Sequence, residues 1–455
     1  MPGDIPEKIV TEAWQNLLSS GCQLKTESGH ALQVVYPGKT TEAGGSDFRD
    51  AVIKVDRHTL KGNIEVHVNS SDWRNHGHHL NPAYNGVVLH VALRHDYPGD
   101  ITAQNGAVIQ TVAIDRYLRQ PQNDTVVPVS DRVECAGAGA YSPDRLLEML
   151  DAAGAARFYE KAARFQQELQ HEDAGQCLYR GMMTALGYAH NQEPFRELAE
   201  KAPLTALEAM LHAENETEKC QVRLQARLLG TAGLLPSQRL ECAYSPFEDY
   251  AYVDRLEHEW EKMRVTAVMD FAGWKLFRVR PPNAPTRRIA GMCGLLARYQ
   301  RQGLLTGMLE LVGNVPVEKA GHLLSEGLTA ADEGYWAGRY DFGKGYPGLS
   351  NYLIGLPRAD DMVINILLPF VYMWGKENGQ TALAEKAFTL YCQHPAVETN
   401  TVERHMRAQF ALKPALVNSA QRQQGLLHLY KKWCTQGRCR ECCVAGNKLK
   451  IASIK

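Results

Sequence analysis

Five strand-like runs crowd the stretch from Ala31 to Ile114, reading ALQVVYP, DFRDAVIKV, NIEVHV, GVVLHVAL and AVIQTVAI. The breaks between them are rich in Gly, Asn and Asp, as turns require. After a Pro/Gly/Ala-rich stretch near 127–143 the text changes character. SPDRLLEMLDAAGAARFYEKAARFQQELQ has a serine cap, an early acid and apolar residues at three-to-four spacing. Similar helical segments recur almost to the end, without convincing self-similarity among them. At 455 residues the chain is too long for one ordinary core. The expected fold class is α+β followed by all-α. A mixed β-sheet domain is placed at 1–140, an all-α region at 141–430 and a cysteine-rich basic tail at 431–455.

A hydrophobic content of 44% and a formal charge of −1 describe a globular protein. No apolar run reaches the length of a membrane helix, and MPGDIPEKIV lacks the pattern of a signal peptide. A cytoplasmic location with no membrane partner is therefore expected. Eleven cysteines, an odd number scattered mostly through helical text, read better as thiols than as a disulfide framework. Charge is uneven: residues 1–140 carry 12 Lys or Arg against 16 Asp or Glu, whereas 271–309 hold seven basic residues and no acid. A polyanion would thus be gripped by the C-terminal half.

The chemistry concentrates between Gly44 and His90. Asp47 opens one strand-like run, and Glu65 sits inside a second with His67 two residues on. Side chains alternate along a strand, so Glu65 and His67 share a face. The turn-prone Asp56–Gly62 segment would fold the two runs into a hairpin and return Asp47 to that pair. Converging carboxylates suit Mg²⁺ or Mn²⁺, which polarise a phosphate and lower the pKa of a bound water. Histidine could position or deprotonate that water. The hairpin alone leaves open a plain surface hairpin whose polar residues face water.

A helix with Glu12, a strand with Asp47, a hairpin, then Glu65-x-His67 resembles the PD-(D/E)XK nuclease core, the restriction-endonuclease-like fold. His67 stands where lysine is usual. That resemblance covers about the first quarter of the chain. It implies metal-dependent phosphodiester hydrolysis, with Asp47 and Glu65 as metal ligands and Glu12 assisting. The chain also resembles, over nearly its whole length, a bacterial family of unknown function. The shared motifs stand here as Gly45-Ser46-Asp47-Phe48, Gly62-Asn63-Ile64-Glu65-Val66-His67, Asp72-Trp73-Arg74-Asn75-His76-Gly77-His78 and Tyr84-Asn85-Gly86-Val87-Val88-Leu89-His90.

Three further features bear on function. The loop with Asp72, His76, His78 and His79, followed by His90, could bind zinc, complete the metal site or contact a scissile phosphate. A polar loop held by hydrogen bonds, with His90 satisfied inside the sheet, is the alternative. Cys434, Cys439, Cys442 and Cys443 lie within ten positions. Three of them, Cys434, Cys439 and Cys442, suit Zn²⁺ or an iron–sulfur cluster, with Cys22 or Cys135 as a fourth ligand. Arg278, Arg280, Arg287 and Arg288 surround a Pro-rich turn before a helix and could hold phosphate, with Trp274 and Phe277 stacking bases. Structural arginines bridging helices are the competing explanation.

No P-loop, dinucleotide fingerprint or nucleophile elbow is present. The leading expectation is a metal-dependent nuclease acting on DNA or RNA. A catalytically silent nucleic-acid-binding protein of the same fold and a zinc-dependent small-molecule hydrolase remain open. The oligomeric state is undetermined by sequence.

Overall fold

The computed structural model describes residues 7–19, 24–40, 46–118, 135, 141–188, 190–213, 216–239, 250–276, 279–436, 438 and 441–444. An N-terminal mixed β-sheet is followed by a mostly helical region, so the class is α+β. The strands are β1 (Leu24–Lys25), β2 (Ala31–Tyr36), β3 (Lys39–Thr40), β4 (Phe48–Val55), β5 (His58–Asn69), β6 (Val87–Arg94), β7 (Ile101–Thr102) and β8 (Val108–Ala113). They lie in the order β1-β2-β4-β5-β6-β8-β7, with β3 paired to β4. β2, β4 and β5 run antiparallel in turn, whereas β5, β6 and β8 are parallel.

The β4–β5 hairpin is tighter than the sequence suggests. Only Asp56 and Arg57 form its turn, because Val55 pairs directly with His58. Asp56 adopts φ +51°, a left-handed conformation that Asp tolerates, and its carboxylate accepts from the Ala31 amide. Residues 58–61 therefore extend β5 rather than the turn. Gly62 lies inside the strand for a different reason: a Cβ there would sit 2.3 Å from the Gly86 carbonyl oxygen. At the other end of β4 the register shifts between Phe48 and Ala51, where Asp50 takes φ +60°. This bulge bends the strand next to Asp47.

The two faces of the sheet are differently covered. Helix α1 (Glu7–Ser19) places Val10, Trp14 and Leu17 in a core with Ile53, Ile64, Val66, Leu89 and Val91. The alternate residues of β5 and β6, Glu65, His67 and His90, therefore face the other way. There the β5–β6 crossover, beginning with the short helix α2 (Asp72–Asn75), supplies Trp73 and Tyr84 to a second core with Val87, Ile101 and Ile109.

By its contacts the chain divides into two compact units. The first joins residues 1–153 to 399–417 and 422–455, and the second comprises 154–398 with 418–421. In the first, Tyr36 and Val52 of the sheet share a core with Leu146, Met149, Met406, Phe410, Leu429 and Tyr430. The C-terminal text thus belongs with the N-terminal sheet, where the sequence alone placed a separate tail. The second unit is helical around a core that includes Phe158, Tyr179, Phe195, Leu228, Met292, Trp336 and Phe370. Short strand pairs, Ala330–Ala331 with Tyr352–Ile354 and Arg339–Asp341 with Lys344–Gly345, are set into it. No described helix is long and apolar enough to cross a membrane.

Candidate metal centre

Glu65 and His67 do share a face of β5, and Asp47 does return to them. The Glu65 carboxylate accepts from the Asp47 backbone N–H through Oε2 at 3.1 Å. In turn Asp47 Oδ2 accepts from the Val66 N–H at 2.8 Å. This reciprocal pair fixes both carboxylates across the β4–β5 ladder. Glu65 Oε1 is left facing His67 Nε2 at 3.9 Å and His78 Nε2 at 3.5 Å.

The histidine loop closes on the same point. His67 Nε2 and His78 Nε2 lie 3.2 Å apart, and one ligand atom from each of His67, His76 and His78 falls within 4.8 Å of the others. His67 and His78 are buried, whereas His76 is exposed and lies 3.8 Å from Glu7 Oε1. Gly77 makes this possible. It sits at φ +73° between the two histidines, reversing the chain so that both neighbours reach one centre. A Cβ there would meet nothing within 4 Å, so its cost is conformational only. Gly77→Ala is expected to destabilise the protein by about 1–2 kcal/mol, checked by urea denaturation.

Packing fixes the remaining rings. His78 lies over Tyr84 with ring centroids 3.8 Å apart, and its edge meets Trp73 at 5.4 Å. The Trp73 N–H donates to the Thr102 carbonyl. His90, fully buried, brings Nε2 to 2.9 Å from His67 Nδ1. His90 Nδ1 has no partner among the described residues. Asp72, a sequence candidate for this site, instead accepts from Asn69 N–H and from the Asn75 side chain, so it holds the loop.

Burial sets the charge state of these groups. Loss of water lifts Glu65 to about 9, with the Asp47 carboxylate adding to the rise. Burial likewise lifts Asp47 to about 6, partly opposed by the Val66 N–H. The same desolvation lowers His78 to about 4 and His90 to about 3, and lowers His67 further, with neighbouring imidazoles adding. Near neutral pH the His67, His78 and His90 imidazoles therefore offer lone pairs rather than positive charge.

Other candidates fall elsewhere. Glu12 is exposed on α1, and no described contact joins it to the centre. Glu7, one and a half turns earlier on that helix, is the α1 carboxylate beside His76. Arg287 and Arg288 are buried within the second unit. Arg287 donates to the carbonyls of Trp336, Arg339, Ser350 and Tyr352. Arg288 donates to the Leu353 carbonyl, the Tyr188 hydroxyl and Asn283 Oδ1. Neither guanidinium is presented to a phosphate, because the strand-and-turn segment 336–353 has carbonyls that need donors. Arg287→Met is expected to destabilise the second unit by about 3 kcal/mol or more, since it orphans several buried acceptors. Thermal denaturation checks this. Trp274 is also buried and donates to the Ala232 carbonyl, which removes it as a base-stacking platform. Arg280 is exposed, whereas Phe277 and Arg278 lie outside the described residues.

Among the tail cysteines, Cys442 is buried and Cys434 half-buried, and both join the first unit's core together with Cys135 and Cys443. Cys439 and Cys22 lie outside the described residues. No three described cysteines converge as ligands; the His67–His76–His78 group is the candidate metal cluster among the described residues.

The family described as Protein of unknown function (DUF2851) matches residues 7–401. The chain belongs to this family. No curated protein and no solved structure matches it. The matched span contains the whole of the centre on β4, β5 and the crossover, while the C-terminal cysteines fall beyond it.

Proposed function

We propose that this protein is a divalent-metal-dependent hydrolase of phosphodiester bonds in DNA or RNA, working at Asp47, Glu65 and His67. One observation carries the reading: the Asp47 and Glu65 carboxylates are locked together by reciprocal backbone bonds, beside an imidazole on the same sheet face. The order of elements agrees with it, a helix, three antiparallel strands, a crossover and a parallel strand.

When bound, a divalent ion would polarise the phosphate and acidify a water. Glu65 would offer Oε1 to such an ion, because Oε2 is held by the Asp47 amide. Asp47, with Oδ2 engaged by Val66, would have Oδ1 left to orient a water beside the ion. His67 takes the place where a lysine would supply charge. Being neutral, it supplies a lone pair instead. Arg287 and Arg288 act through the fold of the second unit.

The test is cleavage of single- and double-stranded DNA and RNA by chelator-stripped protein, after adding Mg²⁺, Mn²⁺, Co²⁺ or Zn²⁺ in turn. Cleavage that returns with an ion and disappears with chelator supports the proposal. Salt-sensitive binding without cleavage under every ion replaces it with a silent nucleic-acid-binding protein. A zinc-dependent small-molecule hydrolase is a second reading, favoured by the convergence of His67, His76 and His78 beside Glu65, which lies 3.5 Å from His78.

A further inference from the structure

We propose that the centre takes a borderline transition-metal ion, Zn²⁺, Co²⁺ or Fe²⁺, rather than Mg²⁺, with Glu65, His67, His76 and His78 as its ligands and His90 as outer support. The inference deepens the metal-dependent reading of the same face, but it concerns which ion is held and by which atoms. It can stand if no phosphodiester is cleaved.

The donor set is the first argument. Three imidazoles and one carboxylate make a nitrogen-rich cage, which suits zinc-like ions, whereas Mg²⁺ prefers oxygen ligands and retains several waters. The leading sequence expectation put Mg²⁺ or Mn²⁺ on Asp47 and Glu65 and offered the crossover histidines as a zinc site or as groups that complete it. Once His76 and His78 join Glu65 and His67, nitrogen outnumbers oxygen.

Spacing is the second. Tetrahedral bonds of about 2.0–2.1 Å put neighbouring donors roughly 3.3 Å apart. His67 Nε2 to His78 Nε2 is 3.2 Å, His78 Nε2 to Glu65 Oε1 is 3.5 Å, and His67 Nε2 to Glu65 Oε1 is 3.9 Å. Three buried donors thus already stand near the edges of such a tetrahedron. A single N–H on His67 Nε2 could satisfy one of its two neighbours, whereas one cation satisfies all three. His76, exposed and with a ligand atom within 4.8 Å of those of His67 and His78, would add a third imidazole from the solvent side.

The third is the surrounding shell. Metal-bound histidines ordinarily donate their second N–H to a fixed partner, which sets tautomer and ring orientation. His67 Nδ1 has His90 Nε2 at 2.9 Å within the buried sheet, and His78 is held by the Tyr84 and Trp73 rings. With His67 Nδ1–H donating to His90, His67 Nε2 carries its lone pair toward Glu65 and His78.

The test uses full-length protein stripped by chelator and titrated with Co²⁺, read by visible d–d absorption, then with Zn²⁺ in competition. One Co²⁺ per chain with intense tetrahedral bands is expected, displaced by stoichiometric Zn²⁺ and unaffected by excess Mg²⁺. His78→Ala should abolish the bands. The exposed His76→Ala, which leaves the buried rings in place, should shift them. His90→Ala should weaken retention by roughly 10–100-fold. Cys434→Ser with Cys442→Ser should leave the bands unchanged. Weak octahedral bands insensitive to the histidine variants, displacement by Mg²⁺, or loss of the bands with the cysteines would each overturn the proposal. Cobalt binding as expected without cleavage keeps this centre and removes the nuclease reading alone.

Discussion

Replacing Glu65 by Ala is expected to lower metal-dependent phosphodiester cleavage by about 10³-fold or more, with Asp47→Ala close behind, while circular dichroism stays that of the wild type. Glu65 is the one carboxylate that touches both sides of the centre. Its Oε2 takes the Asp47 amide, and its Oε1 stands between two imidazole nitrogens. Removing it deletes the anionic ligand and frees the start of β4 together. Asp47→Ala removes the acceptor for Val66 N–H and the second carboxylate. Neither change should unfold the sheet, whose ladder and apolar core lie on other atoms. The measurement is initial cleavage rate against metal concentration. Cleavage by both variants at the wild-type rate would remove Asp47 and Glu65 from the chemistry.

The second large effect is on stability without metal. Glu65, raised to about 9 in the fold, keeps its proton there, whereas in the unfolded chain it ionises near its ordinary value of 4.5. Its contribution is full below that ordinary value and is lost as pH rises toward 9, at about 1.4 kcal/mol per pH unit. The buried histidines act oppositely. His67, His78 and His90 are held below their ordinary value of 6.5, so their contribution is present above it and is lost as pH falls. Stripped protein should therefore be most stable near pH 6.5 and should weaken toward pH 8.5 by about 3 kcal/mol through Glu65. Glu65→Gln should flatten that alkaline limb, and saturating Zn²⁺ should reverse it. Urea midpoints across this range decide it. An identical alkaline slope in Glu65→Gln would show that the carboxyl is ionised in the fold.

Local periodicity made much of this legible in the sequence. Strands at 31–36, 48–55, 58–69, 87–94 and 108–113 fall close to the runs read from alternating apolar residues. The same alternation put Glu65 and His67 on one face, and the hairpin signal returned Asp47 to them. Features set by distant partners were not legible. Arg287 and Arg288 read as free charge because the carbonyls they bond lie 49–65 residues away, in a segment whose need for donors has no local signature. The sequence points to Glu12 although Glu7 is the α1 carboxylate beside His76, because nothing local fixes how far along α1 the helix passes the centre. His90 looked like a satisfied core residue. It is buried, but it backs His67, and only the parallel pairing of Glu65 with His90 reveals that. The return of 399–417 and 422–455 to the sheet unit is likewise non-local.

The most direct measurement is anomalous X-ray diffraction at the zinc edge from crystals grown with stoichiometric Zn²⁺. A single strong peak is expected within bonding distance of Glu65 Oε1, His67 Nε2 and His78 Nε2. A zinc-loaded crystal with no peak among those three atoms, or with its peak on the C-terminal cysteines instead, would contradict the centre on which the proposed chemistry depends.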